Sequence, residues 1–545
     1  MVRESVSSRR VLVIAAVFLC SIGSSGPIRA ATYYVGSSST GNGLGADRNN
    51  LKSLSAAISG ASPSDTFLLQ PGNYGDVTID SGFGTAAGGW VTYRADPDTT
   101  TTRADDWYEQ PLNRPDPGNP GNRVIFTQLY IGPHNSGTTS IGHYIEVMGI
   151  NVVDVGAPSS AVYLADYVAY FKLTDCCIFG VVPDDLQYHH TADRTTAAVY
   201  FPNHAASDFH DITIDSCYTE LTASGLWVLG VLRDNIVIRR CHIRDVCADS
   251  IRVADHTAGD GTVLIDGCHI EVQNGRAEFS RGDRTVAAPD ASAPNRIFTY
   301  SGEPVTGGAE AYWVDVTDAS TGTTQLRRIA AHDLDARRVT LDTALPFDIE
   351  AGDQLTFWHS SHGSGVGIWS PYITVRNCRV HNTGASAAIF NYITGNSHVT
   401  LENNLVYNSL NQYAVRFDSY PMGDYLTVTN NTFVGRRHLN YGRGSEYYYY
   451  GFPFIYATAP GTDLSTVKMC NNILVGSASC PGAGAIVRNN IVFDGPGYET
   501  DAVGDNQGNL VYFNRATQLG TLSHAKPFDN SGAFFAGGDN FETYA

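Results

Sequence analysis

The stretch CADSIRVADHTAGD puts Asp249, Arg252, Asp255, His256 and Asp260 on one short segment. An arginine can neutralise a substrate carboxylate, and a nearby histidine can remove the proton that this acidifies. Arg252 with His256 therefore suits β-elimination, and His204, on a comparable segment upstream, is a second candidate base. Paired carboxylates offer a different chemistry, hydrolysis across a bond, and must then stand about 5–9.5 Å apart. Asp249, Asp255 and Asp260 could supply such a pair, with Asp418 further along. The same three aspartates are hard oxygen ligands of the kind Ca2+ takes, although their spacing matches no calcium-loop motif. Just upstream, RRCHIRDVC holds Cys241, His242 and Cys247, residue types that bind zinc.

Which reading survives depends on the elements that carry these residues. Segments such as DITIDSCYTEL, NIVIRRCHIRD, TVLIDGCHIEV, YITVRNCRVHN, HVTLENNLVYN and YLTVTNNTFVG share one pattern. Each reads apolar, any, apolar, two mostly polar residues, then Cys or Asn. The aligned positions are Cys176, Cys217, Cys241, Cys268, Cys378, Asn404, Asn431, Asn472 and Asn490. Most recur at roughly 25 residues, a period at which one strand–turn–strand unit cannot bury its apolar face but a stack of them can. The expected fold is an all-β parallel solenoid. Coils in such a stack lie about 4.8 Å apart, so the cysteines form an inward ladder of small buried groups. The zinc reading of Cys241, His242 and Cys247 then falls away. Cys470 and Cys480 remain as a candidate disulfide.

The ladder also sorts the charges. Two residues before it stand Asp215, Arg239, Asp266, Arg376 and Glu402, and three residues after it Glu220, Arg244, Glu271 and His381. Both columns alternate in sign, as neighbouring rungs of a solvated ion-pair ladder do.

Arg9 and Arg10, the apolar run VLVIAAVFLC and the small residues before Ala31 read as a secretory signal over residues 1–30. The apolar run is too short to span a bilayer. The expected mature chain is thus exported and carries no membrane span. A formal net charge of -19 argues against nucleic acid or an anionic membrane as partner. It leaves room for an acidic polymer held by a local cluster of arginines.

With the repeat in place, the sequence resembles the right-handed parallel β-helix proteins of the pectate-lyase-like superfamily. The resemblance is carried by TYYVGSSSTGNGLGADRNNLKSLSAAISGASPSDTFLLQPGNYGDVTI, by WVTYRADP and by HYIEVMGINVVDV. These segments look like the first coils of chondroitinase B and alginate-lyase-type enzymes, with a capping helix over LKSLSAAIS. The resemblance implies three strands per coil and a sugar groove on the strand that follows the long loop. Those strands are AAVYFPNH, SGLWVLG, DSIRVADH, GVGIWS, AAIFNY and YAVRFDS. Their parity puts Tyr200, Trp227, Arg252, Gly367 or Trp369, Phe390 and Arg416 on the outer face. Aromatic rings mixed with arginine suit sugar faces and carboxylates.

Groove walls are expected from GVVPDDLQYHHTADRTT, with His189, His190 and Arg194, and from the tyrosine-rich YGRGSEYYYYGFPF. Residues 285–360 change to hairpin spacing and read as a small inserted β domain, between β-helix parts at 31–284 and 361–545. The implied activity is a lyase on a uronate-containing polysaccharide, with Arg252 on the carboxylate and His256 or His204 as base. The implied family also presents a groove lysine, and none of Lys52, Lys172, Lys468 or Lys526 falls on a groove strand. A glycoside hydrolase, a uronan C5-epimerase and a non-catalytic carbohydrate-binding β-helix stay open as alternatives.

Overall fold

The protein was analysed as a computed structural model. It describes residues 30–100, 115–132, 141–153, 160–165, 168–180, 197–202, 209–220, 222, 224–229, 232–244, 246, 249–254, 262–271, 280–303, 305, 313–333, 335–358, 364–381, 387–391, 397–407, 413–435, 437–439, 448–450, 452–458, 460–475, 484–493, 505–507 and 510–512. The expected signal segment, 1–29 of it, and Cys480 lie outside these residues.

Short strands stack into three long sheets of fifteen, thirteen and ten strands. One coil shows the path. Leu232–Arg239 belongs to the first sheet, His242–Arg244 to the second and Ile251–Ala254 to the third. Each of the three pairs in parallel with its counterpart in the preceding coil. The chain is therefore a parallel β-helix whose inward side chains merge into one apolar column.

The turn between the first two sheets explains the repeat. Asp175, Ser216, Arg240, Gly267, Asn377, Asn403, Asn430, Asn471 and Asn489 all take φ between 53° and 62°. Asparagine tolerates that left-handed conformation better than most residues, which accounts for the Asn-Asn doublets. The second member of each doublet turns inward. Asn431 Oδ1 accepts from the Asn404 backbone N–H at 2.9 Å, and Asn431 Nδ2 donates to Leu401 O at 2.9 Å. Asn472 and Asn490 repeat the pattern. In earlier coils a thiol fills the same place, Cys241 Sγ lying 3.7 Å from Ile214 O. Cys176, Cys217, Cys241, Cys268 and Cys378 are buried and unbridged.

Outward charges pair as the alternation predicts on the first sheet. Arg239 stands opposite Asp215 and Asp266, and its guanidinium lies 2.7 Å from Asp215. The column on the second sheet has the expected register, Glu220–Arg244–Glu271–His381. It is not solvated, however: Glu220, Arg244 and His381 are buried.

At the N-terminal end, Leu54–Ser59 forms a six-residue helix capped by Ser53, with Leu54, Ala57 and Ile58 buried in the common core. Between the strands His269–Glu271 and Val366–Trp369 the chain leaves the coils and forms a closed six-stranded antiparallel barrel, from Ser280 to Trp358. The barrel has its own core, including Phe298, Val314, Leu355 and Phe357. Coils on either side continue as neighbours across it, Ile251–Ala254 pairing with Val366–Trp369. Among the described residues no helix is long and apolar enough to cross a membrane.

Candidate functional site

The third sheet presents one continuous outward column. Register runs Tyr130–Tyr163–Tyr200–Trp227–Arg252–Gly367–Phe390–Arg416 along successive strands. Tyr200, Trp227, Arg252, Phe390 and Arg416 thus share one line, as parity within each strand predicts. Gly367, rather than Trp369, takes the place opposite Arg252, and Trp369 stands opposite Ala254. Tyr130 and Tyr163 extend the line by two coils. Their signal was present in TQLYIG and SAVYLAD, strands with the same parity but without the Cys/Asn ladder that gave the later coils their alignment.

Arg252 lies at the middle. Its guanidinium carbon is 3.9 Å from the Trp369 ring centroid and 4.9 Å from that of Trp227, a cation held over two π faces. Trp227 Nε1 in turn donates to Asp249 O at 3.3 Å. The Asp249 carboxylate is buried beside this group and accepts from the Ser364 backbone N–H at 2.6 Å. Burial pushes the Asp249 carboxyl up, and this outweighs the opposing pull of the Ser364 N–H and the Arg252 charge. Two glycines make the space. A Cβ on Gly225 would sit 2.0 Å from Ser250 O, and one on Gly367 would meet Asp249 Oδ2 and Trp369 Nε1, each at 3.2 Å.

The column divides by exposure. Tyr130, Tyr163 and Tyr200 are partly open, and the first two rings stack at 5.2 Å. Trp227 and Phe390 are only 3% and 6% exposed, so neither offers an open ring face. Their rings instead carry arginines, Phe390 lying 5.6 Å and Tyr413 4.7 Å from the Arg416 guanidinium. Three coil steps of about 4.8 Å separate Arg252 from Arg416, roughly 14 Å along the sheet.

His189, His190, Arg194, His204, Asp255, His256 and Asp260 lie outside the described residues, as does the Asp418 side chain. Of the tyrosine run, Tyr448–Tyr450 pairs with Arg437–Leu439 as a short antiparallel ribbon. No lysine stands on the third sheet among the described residues. Lys172 belongs to the first sheet, its amine 4.0 Å from the Trp90 ring, and Lys468 is there too. Of the three aspartates expected as Ca2+ ligands, only Asp249 lies among the described residues.

No family model and no curated protein matches the chain. Among solved structures, pectate lyase Pel9A aligns with a TM-score of 0.33 and 10% identity, over 74% of this chain and 78% of that one. A complex of XylC with xylose gives 0.37 and 10%, over 89% and 87%. A PL6-family polysaccharide lyase from Pseudopedobacter saltans gives 0.33 and 12%, over 85% and 83%. The likeness is one of coil architecture, which the strand registers establish independently.

Proposed function

We propose that the chain is an exported carbohydrate-active enzyme that cleaves a uronate-containing polysaccharide by β-elimination along the third sheet. The observation that carries this reading is the Arg252 guanidinium held between Trp227 and Trp369 beside the buried Asp249. Burial pushes the Asp249 carboxyl up, against the pull of the Arg252 charge. A guanidinium fork matches a carboxylate in shape, and the indoles fix it without consuming its charge. Neutralising the uronate carboxylate acidifies the C5 proton, a base removes it, and the bond to the leaving oxygen breaks as the double bond forms. His256 and His204 are the candidate bases, and Arg416 is a second carboxylate contact further along the polymer. The partly exposed tyrosines Tyr130, Tyr163 and Tyr200 suit stacking against sugar faces.

One observation favours a second reading. A carboxyl pushed up by burial, as that of Asp249 is, has the property wanted in the general acid of a glycoside hydrolase. Its partner would be Asp255, Asp260 or Asp418. Epimerisation at C5 shares the first step of elimination and differs only in the return of the proton.

The test is to follow ultraviolet absorbance of an unsaturated uronate product while the protein is incubated with a panel of uronate polysaccharides. Absorbance should rise, and Arg252→Ala should lower kcat/KM by about 10²–10³-fold, as loss of one transition-state donor does. New reducing ends without absorbance would assign hydrolysis. Binding with neither product would make the groove a carbohydrate-binding surface.

A further inference from the structure

A second cluster lies on the outer face of the second sheet, away from the groove. His242 and His269 are cross-strand partners, and so are Glu271 and His381. Four potential ligands from three successive coils thereby meet in two neighbouring columns. His242 Nε2 is 3.1 Å from Glu271 Oε1, and His381 Nε2 is 3.7 Å from Glu271 Oε2. The Nε2 atoms of His269 and His381 are 2.7 Å apart. One ligand atom from each of His242, His269 and Glu271 fits within 4.8 Å of the others. The three imidazoles are 0%, 5% and 3% exposed, so water does not compete for them.

Two ring nitrogens in direct contact need either an N–H of one donating to the lone pair of the other or a cation that both share. Around zinc at 2.0–2.1 Å, tetrahedral ligand atoms stand about 3.3 Å from one another. The His242–Glu271 contact of 3.1 Å is close to that edge. Glu271 brings the negative charge and divides its oxygens: Oε1 faces His242 and the Arg244 Nε at 3.3 Å, while Oε2 faces His381. The rings of His242 and His269 stack at 4.5 Å and 7°, so taking up an ion tilts both toward it.

We propose that His242, His269 and Glu271 form a transition-metal site on the outer face of the second sheet, with His381 packed beside it against His269 and Glu271. Two imidazole nitrogens with one carboxylate suit Zn2+. The position gives the ion a structural task. Glu271 ends the last second-sheet strand before the inserted barrel, and His381 ends the next strand of that sheet after it. A metal there clamps the two coils before the insertion, His381 links that clamp to the coil after it, and the ion stabilises the folded chain because the unfolded chain has no such array.

The test uses untagged full-length protein, stripped with a chelator and dialysed against Zn2+ or Co2+. The wild-type chain should retain one ion, give the intense visible bands of tetrahedral Co2+, and melt at a higher temperature with metal than without. His242→Gln and His269→Gln should each weaken Zn2+ affinity at least tenfold. His398→Gln, whose ring stacks between Tyr372 and Tyr425 on the first sheet, should leave it unchanged. Failure of the wild-type chain to retain Zn2+ or Co2+ would overturn the proposal even if a variant proves unstable. Undiminished uptake in both cluster variants would overturn it as well, leaving a hydrogen-bonded histidine stack.

Discussion

Arg252 sits between two indoles at 3.9 and 4.9 Å, a contact that gains strength as water is excluded, reaching about 2 kcal/mol when desolvated. The cost falls on Asp249, whose charge burial disfavours. A carboxyl whose folded pKa is raised contributes stability below its unfolded value, near 4, and that contribution is lost as pH rises through the folded value. Asp249→Asn keeps an acceptor for the Ser364 N–H but cannot ionise. Its stability relative to the wild type should therefore climb from about pH 4 upward. Urea denaturation across that range checks this, and a flat difference would mean that Asp249 ionises as an ordinary carboxylate. At Gly367 the added methyl of Gly367→Ala must displace the Asp249 carboxylate or the Trp369 indole. A loss of about 1–3 kcal/mol is expected from such overpacking, read as a lower urea midpoint at unchanged m-value.

At the scale of the element, the turn between the first and second sheets does the most to hold the coils in register. Asn431 accepts from Asn404 N–H and donates to Leu401 O, both buried. Asn431→Ala leaves those two groups unpaired, at about 1–3 kcal/mol each, so a total loss of about 2–6 kcal/mol is expected. Asn431→Cys copies the residue that fills this place at Cys241 and should cost less. Equal losses in the two variants, measured by denaturant titration, would show that rung chemistry is unimportant there. The second sheet differs from the first in one respect. In its Glu220–Arg244–Glu271 column the first two are buried and Glu271 is only partly exposed, so these ion pairs carry a desolvation cost that surface pairs avoid. Burial pushes the Glu271 carboxyl up, but the His242 hydrogen bond and the charges of Arg244, His242 and His381 outweigh it and bring it to about 2.

At the scale of the molecule, the barrel and the coils have separate apolar cores. The three sheets run past the insertion without a break: Val263–Asp266 pairs with Ile373–Arg376, and His269–Glu271 with Arg379–His381. Replacing residues 280–358 by a short Gly/Ser linker should then leave a folded β-helix, since each halving of loop length changes the closure cost by only about 0.6 kcal/mol. Far-ultraviolet circular dichroism and a cooperative thermal transition would report it. Aggregation without any transition would mean that the barrel is needed to cover the neighbouring coils.

What the sequence determined by itself was whatever repeats. The Cys/Asn rungs, the alternating charges Asp215–Arg239–Asp266–Arg376 and the line from Tyr200 to Arg416 each follow from a period and a parity, because a strand turns alternate residues to opposite faces. The tertiary structure alone decided burial and convergence. It closed off Trp227 and Phe390, set Asp249 beside Arg252, and linked His242 to Glu271, Glu271 to His381 and His381 to His269 across three coils. Those outcomes depend on what lies over each face and on neighbours more than a hundred residues away, as with His269 and His381, and no local pattern encodes either.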